Sequence, residues 1–295
     1  MSNMSKLNGD HIKLAIQKDG RLTEDTRNLL RTVGLHFESY KQRLFSICRN
    51  FPMDILYVRD DDIAEYVAEG IVDLGIVGRN LVVESEKPVE EILPLNYGHC
   101  SLKVAVPAES GITSIEQLSG CNVATSYPVT TSRFFAERDI DVNVITISGS
   151  VEITPALGVA TAIVDLVSTG SSLRLNDLVA IDNVLDSQST IIGNRTSLAD
   201  KQKAIIIERL LTRFRGVMAA SEYKYVMMNV PSASLEYIST IMPGLKSPTV
   251  LPTADADWMA VHTAIREDVF WDAIEELKKL GAQGILVSSI EKMFV

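Results

Sequence analysis

The segment from Ala162 to Leu173, with the sequence AIVDLVSTGSSL, restricts the possible folds more than any other part of the chain. Its first six residues are almost all apolar and indicate a buried strand, which runs into small hydroxyl residues around Gly170. We call the turn from Ser168 to Ser172 the phosphate cradle, because hydroxyl and backbone N–H donors around a glycine form a concave site for an anion. The segment predicts a strand-turn-helix unit of an α/β protein that holds a phosphate group. An ordinary turn rich in serine and threonine is the alternative.

The same pattern of strand, turn and helix opens the chain. Ile12 to Ile16 predicts a strand, and a polar turn from Gln17 to Arg21 leads into a helix that stops at Gly34. Backbone N–H groups at such a turn point toward whatever lies above the strand, and Lys18 and Arg21 add full positive charges. The turn favours an anion site, and a solvated surface is the alternative for both side chains.

Two segments of the chain share a short pattern. Ile71 to Gly78 predicts a buried strand with Asp73 near its start, and it matches Ile163 to Gly170 in the pattern I-V-D-L-x-x-x-G. Two similar α/β lobes with strand ends facing a common cleft are the simplest explanation, although a match of this length also arises by chance. Asp165 in the second copy can accept hydrogen bonds from sugar hydroxyls or act as a structural cap.

The last part of the chain predicts a separate domain. Its strands and helices follow the order βαββαβ, which is that of ferredoxin-like domains. The predicted strands are Tyr225–Val230, Thr249–Leu251, Trp258–Ile265 and Gly284–Ile290, and the predicted helices are Ser232–Ile241 and Glu267–Leu280. This region contains no obvious catalytic group, which favours a sensor over a second active site.

Charge and composition exclude several classes of function. The 295 residues carry a formal net charge of -10, so DNA or RNA would meet a repulsive surface. No apolar run is long enough to cross a membrane, and the start, MSNMSKLNGDHIK, lacks the apolar core of a signal peptide. The three cysteines lack C-x-x-C spacing and the four histidines are scattered, which argues against disulfides and a zinc site. We expect a cytoplasmic protein that binds neither nucleic acid nor a membrane.

The order of motifs along the chain resembles that of a known enzyme family. The chain contains, in this order, QKDGRL, VRDDDI, VDLGIVGRN, ATSYP, GSVE, DLVSTGSSL, LLTRFRGV, KYVMMN, SPTVLP and LGAQGILV. From residue 12 to residue 295 it resembles the long form of ATP phosphoribosyltransferase, the first enzyme of histidine biosynthesis. The resemblance implies an α/β fold with two lobes like those of periplasmic binding proteins around a catalytic cleft, plus a C-terminal ferredoxin-like (ACT-like) domain. It implies lobe I from residues 1–98 and 181–221, lobe II from residues 99–180, and a regulatory domain from residues 222–295.

The resemblance also implies a reaction and a set of ligands. N1 of the ATP adenine attacks C1 of phosphoribosyl pyrophosphate, and pyrophosphate leaves without a covalent intermediate on the protein. Mg²⁺ is the implied cofactor, held mainly by substrate phosphates rather than by direct protein ligands. Histidine is the implied feedback inhibitor, AMP or ADP are further implied ligands, and the implied assembly is a homo-oligomer between a dimer and a hexamer.

Individual residues receive roles from the same resemblance. The catalytic candidates are Lys18, Arg21 and Glu152, whose carboxylate can accept a hydrogen bond from the adenine amino group or simply stabilise the start of a helix. Binding of phosphoribosyl pyrophosphate is assigned to Asp165, Leu166, Val167, Ser168, Thr169, Gly170, Ser171 and Ser172. Binding of ATP is assigned to Arg59, Asp73, Leu74 and Arg133. Binding of histidine is assigned to Asn229, Leu245, Ser247, Thr249 and Gly284.

Departures from the family pattern are small, and two other functions have to be weighed. Ser171 and Ser172 stand where relatives often carry Ala-Thr, which keeps a hydroxyl, while Asn229 stands where relatives can carry Asp, which weakens the inferred contact with a ligand ammonium. Two lobes around a cleft are also the plan of solute-binding proteins, and a βαββαβ domain also suits a regulatory protein without catalysis. Lys18, Arg21 and the phosphate cradle favour the enzyme over both.

Overall fold

The computed structural model describes residues 11–38 and 44–294. The chain forms two compact units, one with Leu35–Glu208 and the residues up to Arg31, the other with Thr32–Gly34 and the residues from Arg209 on. The strands are β1 (Ile12–Gln17), β2 (Phe45–Ile47), β3 (Met53–Val58), β4 (Leu74–Gly78), β5 (Glu90–Pro94), β6 (Cys100–Pro107), β7 (Asn122–Thr125), β8 (Asn143–Thr146), β9 (Ala162–Val167), β10 (Leu178–Ser187), β11 (Ser189–Gly193), β12 (Tyr223–Pro231), β13 (Thr249–Pro252), β14 (Trp258–Arg266) and β15 (Gln283–Ser289). The α-helices are α1 (Thr23–Thr32), α2 (Asp60–Ala68), α3 (Arg79–Ser85), α4 (Pro128–Ala136), α5 (Ser171–Leu175), α6 (Arg195–Ala199), α7 (Lys201–Ser221), α8 (Leu235–Ile241) and α9 (Glu267–Lys279).

The first unit contains a six-stranded sheet with the order β2-β3-β1-β4-β11-β5. β1 pairs in parallel with β3 and β4, β2 pairs antiparallel with β3, and β11 pairs antiparallel with both β4 and β5. Gln17 at the end of β1 is in register with Val58 at the end of β3, so the turns after these strands emerge at one edge of the sheet. α2 contributes Ile63, Ala64 and Val67 to the apolar cluster on this sheet.

A five-stranded sheet with the order β10-β6-β9-β7-β8 forms the second lobe of the same unit. β7 lies parallel to β8 and β9, and β6 lies antiparallel to β9 and β10. One apolar cluster contains Leu102, Val104 and Phe135, and another contains Ile163 and Leu173. Because side chains alternate between the faces of a strand, the two clusters cover both faces of this sheet. The predicted two-lobed α/β fold is confirmed.

The structure differs from the sequence prediction at one boundary between the lobes and at the start of one strand. β10 stays paired with β6 as far as Ser187, so the change of lobe that the sequence placed at residue 180 occurs at Gln188. The strand predicted from Ile71 begins only at Leu74. The reason is local, because the N–H group of Ile71 still donates to the carbonyl of Tyr66 in the last turn of α2.

The second unit contains the predicted βαββαβ order in its four-stranded sheet, β13-β14-β12-β15. All neighbouring strands are antiparallel, and the first and third strands of the unit occupy the middle of the sheet, as in ferredoxin-like domains. Its apolar core includes Val226, Ile238 and Leu277, which come from β12, α8 and α9. The predicted ferredoxin-like fold is confirmed.

The helix α7 has 21 residues and connects the two units along the chain. Ile207, Leu211 and Phe214 recur at helical spacing and are buried. In the part of the chain that the structure describes, α7 and the other helices are too short or too polar to span a membrane.

Candidate active site

The phosphate cradle follows directly after β9, which ends at Val167. Gly170 has a φ of 72°, a left-handed conformation that favours glycine, and α5 begins at the next residue. The hydroxyl oxygens of Thr169 and Ser171 are 3.0 Å apart, and Arg174 Nη1 donates to the carbonyl oxygen of Thr169 at 3.3 Å. The hydroxyl-bearing residues Ser168, Thr169, Ser171 and Ser172 are exposed. The cradle therefore offers its donors to solvent, and Arg174 adds a charge that the sequence interpretation did not include.

A cation from the first lobe touches the cradle of the second. Arg21, in the turn after β1, donates from Nη1 to the Ser168 hydroxyl and from Nη2 to Cys100 Sγ at 3.3 Å. Cys100 begins β6 of the five-stranded sheet, so Arg21 connects the lobes at two points. A guanidinium group has five N–H donors, and two are used here, which leaves donors for a ligand. The predicted catalytic candidate Arg21 and the predicted cradle thus lie together.

Lys18 and Arg59 follow neighbouring strands at the edge of the sheet that also carries Arg21. The N–H group of Lys18 donates to the carbonyl of Val58 at 2.8 Å, which holds the ends of β1 and β3 side by side. Arg59 follows Val58 and immediately precedes α2. The turns at this edge place the cations Lys18, Arg21 and Arg59 beside the carboxylates of Asp19 and Asp60–Asp62, so positive charge is available to an anion only at the three cationic side chains themselves.

Two carboxylates lie next to the cradle. Glu152 sits in a 3-10 turn, Val151–Ile153, and its Oε1 accepts a hydrogen bond from the Ser172 hydroxyl at 3.3 Å. Burial raises the pKa of the Asp165 carboxyl, the Leu166 N–H group that donates to it at 2.8 Å lowers that pKa, and the charge of Glu152 raises it. The cradle therefore combines hydroxyl donors with two acceptors, the combination that a phosphorylated sugar can use through its phosphate and its hydroxyls.

Tyr127 is a candidate that the sequence interpretation missed. Its hydroxyl oxygen accepts a hydrogen bond from Asn80 Nδ2 at 3.3 Å, which links the second lobe to the first. Burial raises the pKa of the Tyr127 phenol, and the Asp165 carboxylate raises it further. The phenol therefore stays protonated at neutral pH and can donate a hydrogen bond beside Asp165. Its motif, ATSYP, carries no signal of its own beyond the family pattern, because an aromatic residue before a proline is as typical of packing as of a site.

A cavity of about 430 Å³ lies beside the cradle. A volume of this size falls within the range of pockets for small molecules. Its lining residues come from the ends of β6, β9 and β10 and from the cradle, and they are His99, Cys100, Ser101, Lys103, Val167, Ser168, Thr169, Gly170, Asp186 and Ser187. The cavity places the cradle against the strands through which the chain crosses between the lobes.

Asp73 and Leu74, which the sequence assigned to ATP, lie elsewhere in the first lobe. Leu74 is fully buried, and the Asp73 side chain is only 4% exposed. Asp73 accepts hydrogen bonds from the Lys13 N–H group, the Ser197 hydroxyl and Lys203 Nζ at 2.6–2.7 Å. Since Asp73 precedes β4, it lies at the opposite end of the parallel strands from Lys18 and Arg21. The structure does not bring these two residues to the cradle.

Arg133, also assigned to ATP, lies where α4 of the second lobe meets α3 of the first. Its Nη1 is 3.5 Å from Glu86 Oε1. In the same junction the Glu84 carboxylate accepts hydrogen bonds from the N–H groups of Val129 and Thr130 at 2.8 and 2.9 Å and from the Thr130 hydroxyl at 2.7 Å. Glu84 therefore caps α4 from the other lobe, which helps to fix the two lobes relative to each other.

The residues assigned to histidine divide into two groups in the ferredoxin-like unit. Asn229 lines a cavity of about 380 Å³ with Thr253, Asp255, Trp258 and Gln283 among its walls. A Cβ atom at Gly284 would lie 3.8 Å from Asn229 Nδ2, so these two predicted residues are neighbours. Thr249 pairs with His262 in the ladder of β13 and β14, and neither Leu245 nor Ser247 lines the cavity.

Acidic and metal-binding side chains do not converge on a metal site in residues 11–38 and 44–294. No group of three or more His, Cys, Asp or Glu side chains is placed to hold an ion there. The oxygen donors near the cradle, Glu152 and Asp165, suit a metal that arrives with phosphate ligands of its own.

Comparisons with known proteins agree with this geometry. The family model for ATP phosphoribosyltransferase, HisG, matches residues 59–216, and the model for the HisG C-terminal domain matches residues 220–292. ATP phosphoribosyltransferase of Cytophaga hutchinsonii is 42% identical over 96% of this chain and 98% of its own length, and that of Bacteroides thetaiotaomicron is 41% identical over 96% and 100%. Among solved structures, the ATP phosphoribosyl transferase (HisG:HisZ) complex from Thermotoga maritima gives a TM-score of 0.60 at 25% identity, covering 69% of this chain and 96% of that one. This chain belongs to the ATP phosphoribosyltransferase family, the pentosyltransferases of the first step of histidine biosynthesis.

Proposed function

We propose that this protein joins N1 of the ATP adenine to C1 of phosphoribosyl pyrophosphate and releases pyrophosphate. The observation that carries the proposal is the contact of Arg21, from the first lobe, with Ser168 in the cradle of the second. A transfer between two anionic substrates needs a site for the phosphate of the donor and positive charge for its leaving group. The two must be close enough to contact the same donor molecule. The Arg21 contact supports that arrangement.

In this proposal the cradle holds the 5-phosphate of the donor. Ser168 and Thr169 donate hydroxyl hydrogen bonds, and Gly170 leaves room for the phosphate because it has no side chain. Asp165 accepts hydrogen bonds from the ribose hydroxyls, which would relieve the cost of burying its charge. These roles fix the sugar so that C1 faces the cleft between the lobes.

Positive charge at the edge of the first sheet acts on the leaving group and on the ATP phosphates. Lys18, Arg21 and Arg59 stabilise the negative charge that builds on pyrophosphate as the C1–O bond breaks. Mg²⁺ held by the substrate phosphates would supply further neutralisation. Arg133 reaches ATP in this scheme only if it leaves its contact with Glu86.

Glu152 is the proposed acceptor for the adenine amino group. Alkylation at N1 places positive charge on the adenine ring, and a carboxylate at hydrogen-bonding distance from the amino group stabilises that charge. The hydrogen bond from Ser172 to Glu152 supports this role, because it orients the carboxylate next to the cradle.

Histidine is the proposed inhibitor, bound in the ferredoxin-like unit at the cavity that Asn229 lines. Inhibition by a ligand at a second site requires a coupling free energy of about 1–3 kcal/mol. The test is the inhibition of wild type and of Asn229→Ala by histidine at equal enzyme concentrations, with the molecular mass of each followed by light scattering to test the proposed homo-oligomer. Unchanged inhibition of the variant would remove Asn229 from the site.

Turnover distinguishes the proposed enzyme from a solute-binding protein with the same lobes. The purified protein is mixed with ATP, Mg²⁺ and phosphoribosyl pyrophosphate, and the nucleotide product is followed by its absorbance and by mass spectrometry. Arg21→Gln is expected to reduce kcat/KM by at least tenfold, since a charge-assisted contact contributes about 1.5–3 kcal/mol. Binding of the donor without any product would contradict the proposal.

A further inference from the structure

Lys103 occupies an unusual position in the second lobe. Its neighbours in β6, Leu102 and Val104, are fully buried in an apolar cluster, and Lys103 points from the opposite face of the same strand. β6 is an inner strand, and Lys103 is in register with Asp165 on one side and Asn183 on the other. Lysine is mostly an exposed residue type, whereas Lys103 is partly buried in the middle of an inner strand.

The charge of Lys103 has no direct partner in the described part of the chain. The ion pairs found there, with N–O distances up to 4.0 Å, do not include it. Asp186 is close enough for Lys103 to lower its pKa, but that carboxylate is already held by the Ser101 hydroxyl at 2.7 Å and by Asn183 Nδ2 at 3.1 Å. Partial burial of an ammonium group without a partner costs free energy, and a bound anion would remove that cost.

The cavity beside the cradle indicates which anion would neutralise Lys103. Lys103 lines the same cavity as Ser168, Thr169 and Gly170 of the cradle. Arg21 contacts the cradle from the other lobe, and Arg174 lies across it at Thr169. A phosphate on the cradle would therefore meet Lys103 from the side of the sheet.

We propose that Lys103 binds the 5-phosphate of the sugar donor and so selects a phosphorylated ribose. Its ammonium group acts as a point charge on the phosphate oxygens, and the flanking strands β9 and β10 restrict where it can move. The proposal rests on the proposed function, because it names a further residue for the donor site. It also makes a prediction about binding that does not depend on turnover.

The test compares Lys103→Met and Lys103→Arg with wild type. Methionine keeps the unbranched stem and removes the charge, whereas arginine keeps the charge. Lys201→Met is the matched control, since Lys201 is exposed at the start of α7. Affinities for ribose 5-phosphate and for pyrophosphate are measured by titration calorimetry, and KM is measured separately for ATP and for phosphoribosyl pyrophosphate.

We expect Lys103→Met to weaken ribose 5-phosphate binding and to raise KM for phosphoribosyl pyrophosphate, each by about tenfold or more. KM for ATP and the affinity for pyrophosphate should stay within about twofold of wild type, and Lys103→Arg should recover most of the loss. Ribose 5-phosphate affinity unchanged in Lys103→Met, or a loss confined to pyrophosphate, would overturn the proposal. If Lys103→Met does not fold, Lys103→Gln and Lys103→Arg give the same comparison. Absence of turnover in wild type would count against the proposed function, while the ribose 5-phosphate titration would still decide the role of Lys103.

Discussion

Asp73 has either a structural role or a role in binding ATP, and the variant Asp73→Asn distinguishes the two. The carboxylate divides its hydrogen bonds between its two oxygens. Oδ1 accepts from the Ser197 hydroxyl and from Lys203 Nζ, and Oδ2 accepts from the N–H group of Lys13. An asparagine amide in the same orientation keeps the Oδ1 contacts and turns its NH₂ group toward the N–H of Lys13. Two donors then face each other in the interior, and neither has an acceptor.

The cost of that change follows from its parts. A buried N–H group left without an acceptor costs about 1–3 kcal/mol, and the loss of charge opposite a partly exposed Lys203 adds about 0–1 kcal/mol. We therefore expect Asp73→Asn to lower the free energy of unfolding by about 1–4 kcal/mol. For a unit of this size the melting temperature falls by roughly 2–4 °C per kcal/mol, which gives about 2–16 °C.

Scanning calorimetry measures the melting temperature, and the steady-state assay measures KM for ATP at a temperature where the variant is folded. Asp141→Asn is the matched control, because Asp141 is exposed. The reasoning predicts a destabilised variant with KM for ATP within about twofold of wild type. A variant that melts like wild type and has a KM for ATP raised tenfold would refute it and restore Asp73 to the ATP site.

Three other variants test the junction and the cradle. Glu84→Ala removes the carboxylate that caps α4, and we expect it to lower the free energy of unfolding by about 1–2 kcal/mol. Amide exchange at Val129 and Thr130, measured by hydrogen–deuterium exchange, should become faster. Unchanged exchange would contradict the capping role. Burial raises the pKa of Asp165 above its ordinary value of 3.8, so ionisation costs the folded state more than the unfolded one. Asp165→Asn should therefore melt at a higher temperature than wild type at pH 7 and lose that advantage as the pH falls toward 3.8. A difference in melting temperature that does not depend on pH would show that ionisation of Asp165 is not its cause. Gly170→Val places a side chain where φ is 72°, so we expect about 1–2 kcal/mol of backbone strain. We also expect titration calorimetry to detect no binding of phosphoribosyl pyrophosphate. Normal affinity would exclude the cradle as the phosphate site.

The fold was predictable because its signals are local. Residues close together in the chain produce the apolar run before the cradle, the turns marked by glycine and proline, and the βαββαβ order of the last domain. The lobe boundary was harder, since β10 pairs with β6 across residue 180 and no turn signal marks the true crossing at Gln188. The sequence pattern I-V-D-L-x-x-x-G also joined two aspartates that the structure separates, because Asp165 lies within β9 and Asp73 lies before β4.

The candidate site was predictable only where one segment contributes most of it. The cradle and the turn with Arg21 each carry their own signal, and the family resemblance related them to one reaction. Glu84 and Tyr127 gave no such signal, because their importance depends on partners far away in the chain. Lys103 gave a weak signal, as the single charged residue within the mostly apolar stretch of β6.

Several carboxylates of this acidic protein are held by protein donors. Asp60 accepts from Gln17, Glu84 accepts from the start of α4, and Asp73 is paired with Lys203. Arg21 and Lys103 flank the cradle, so positive charge is available there although the net charge of the chain is -10. The distribution of charge, rather than its sum, makes a site for phosphorylated substrates compatible with this chain.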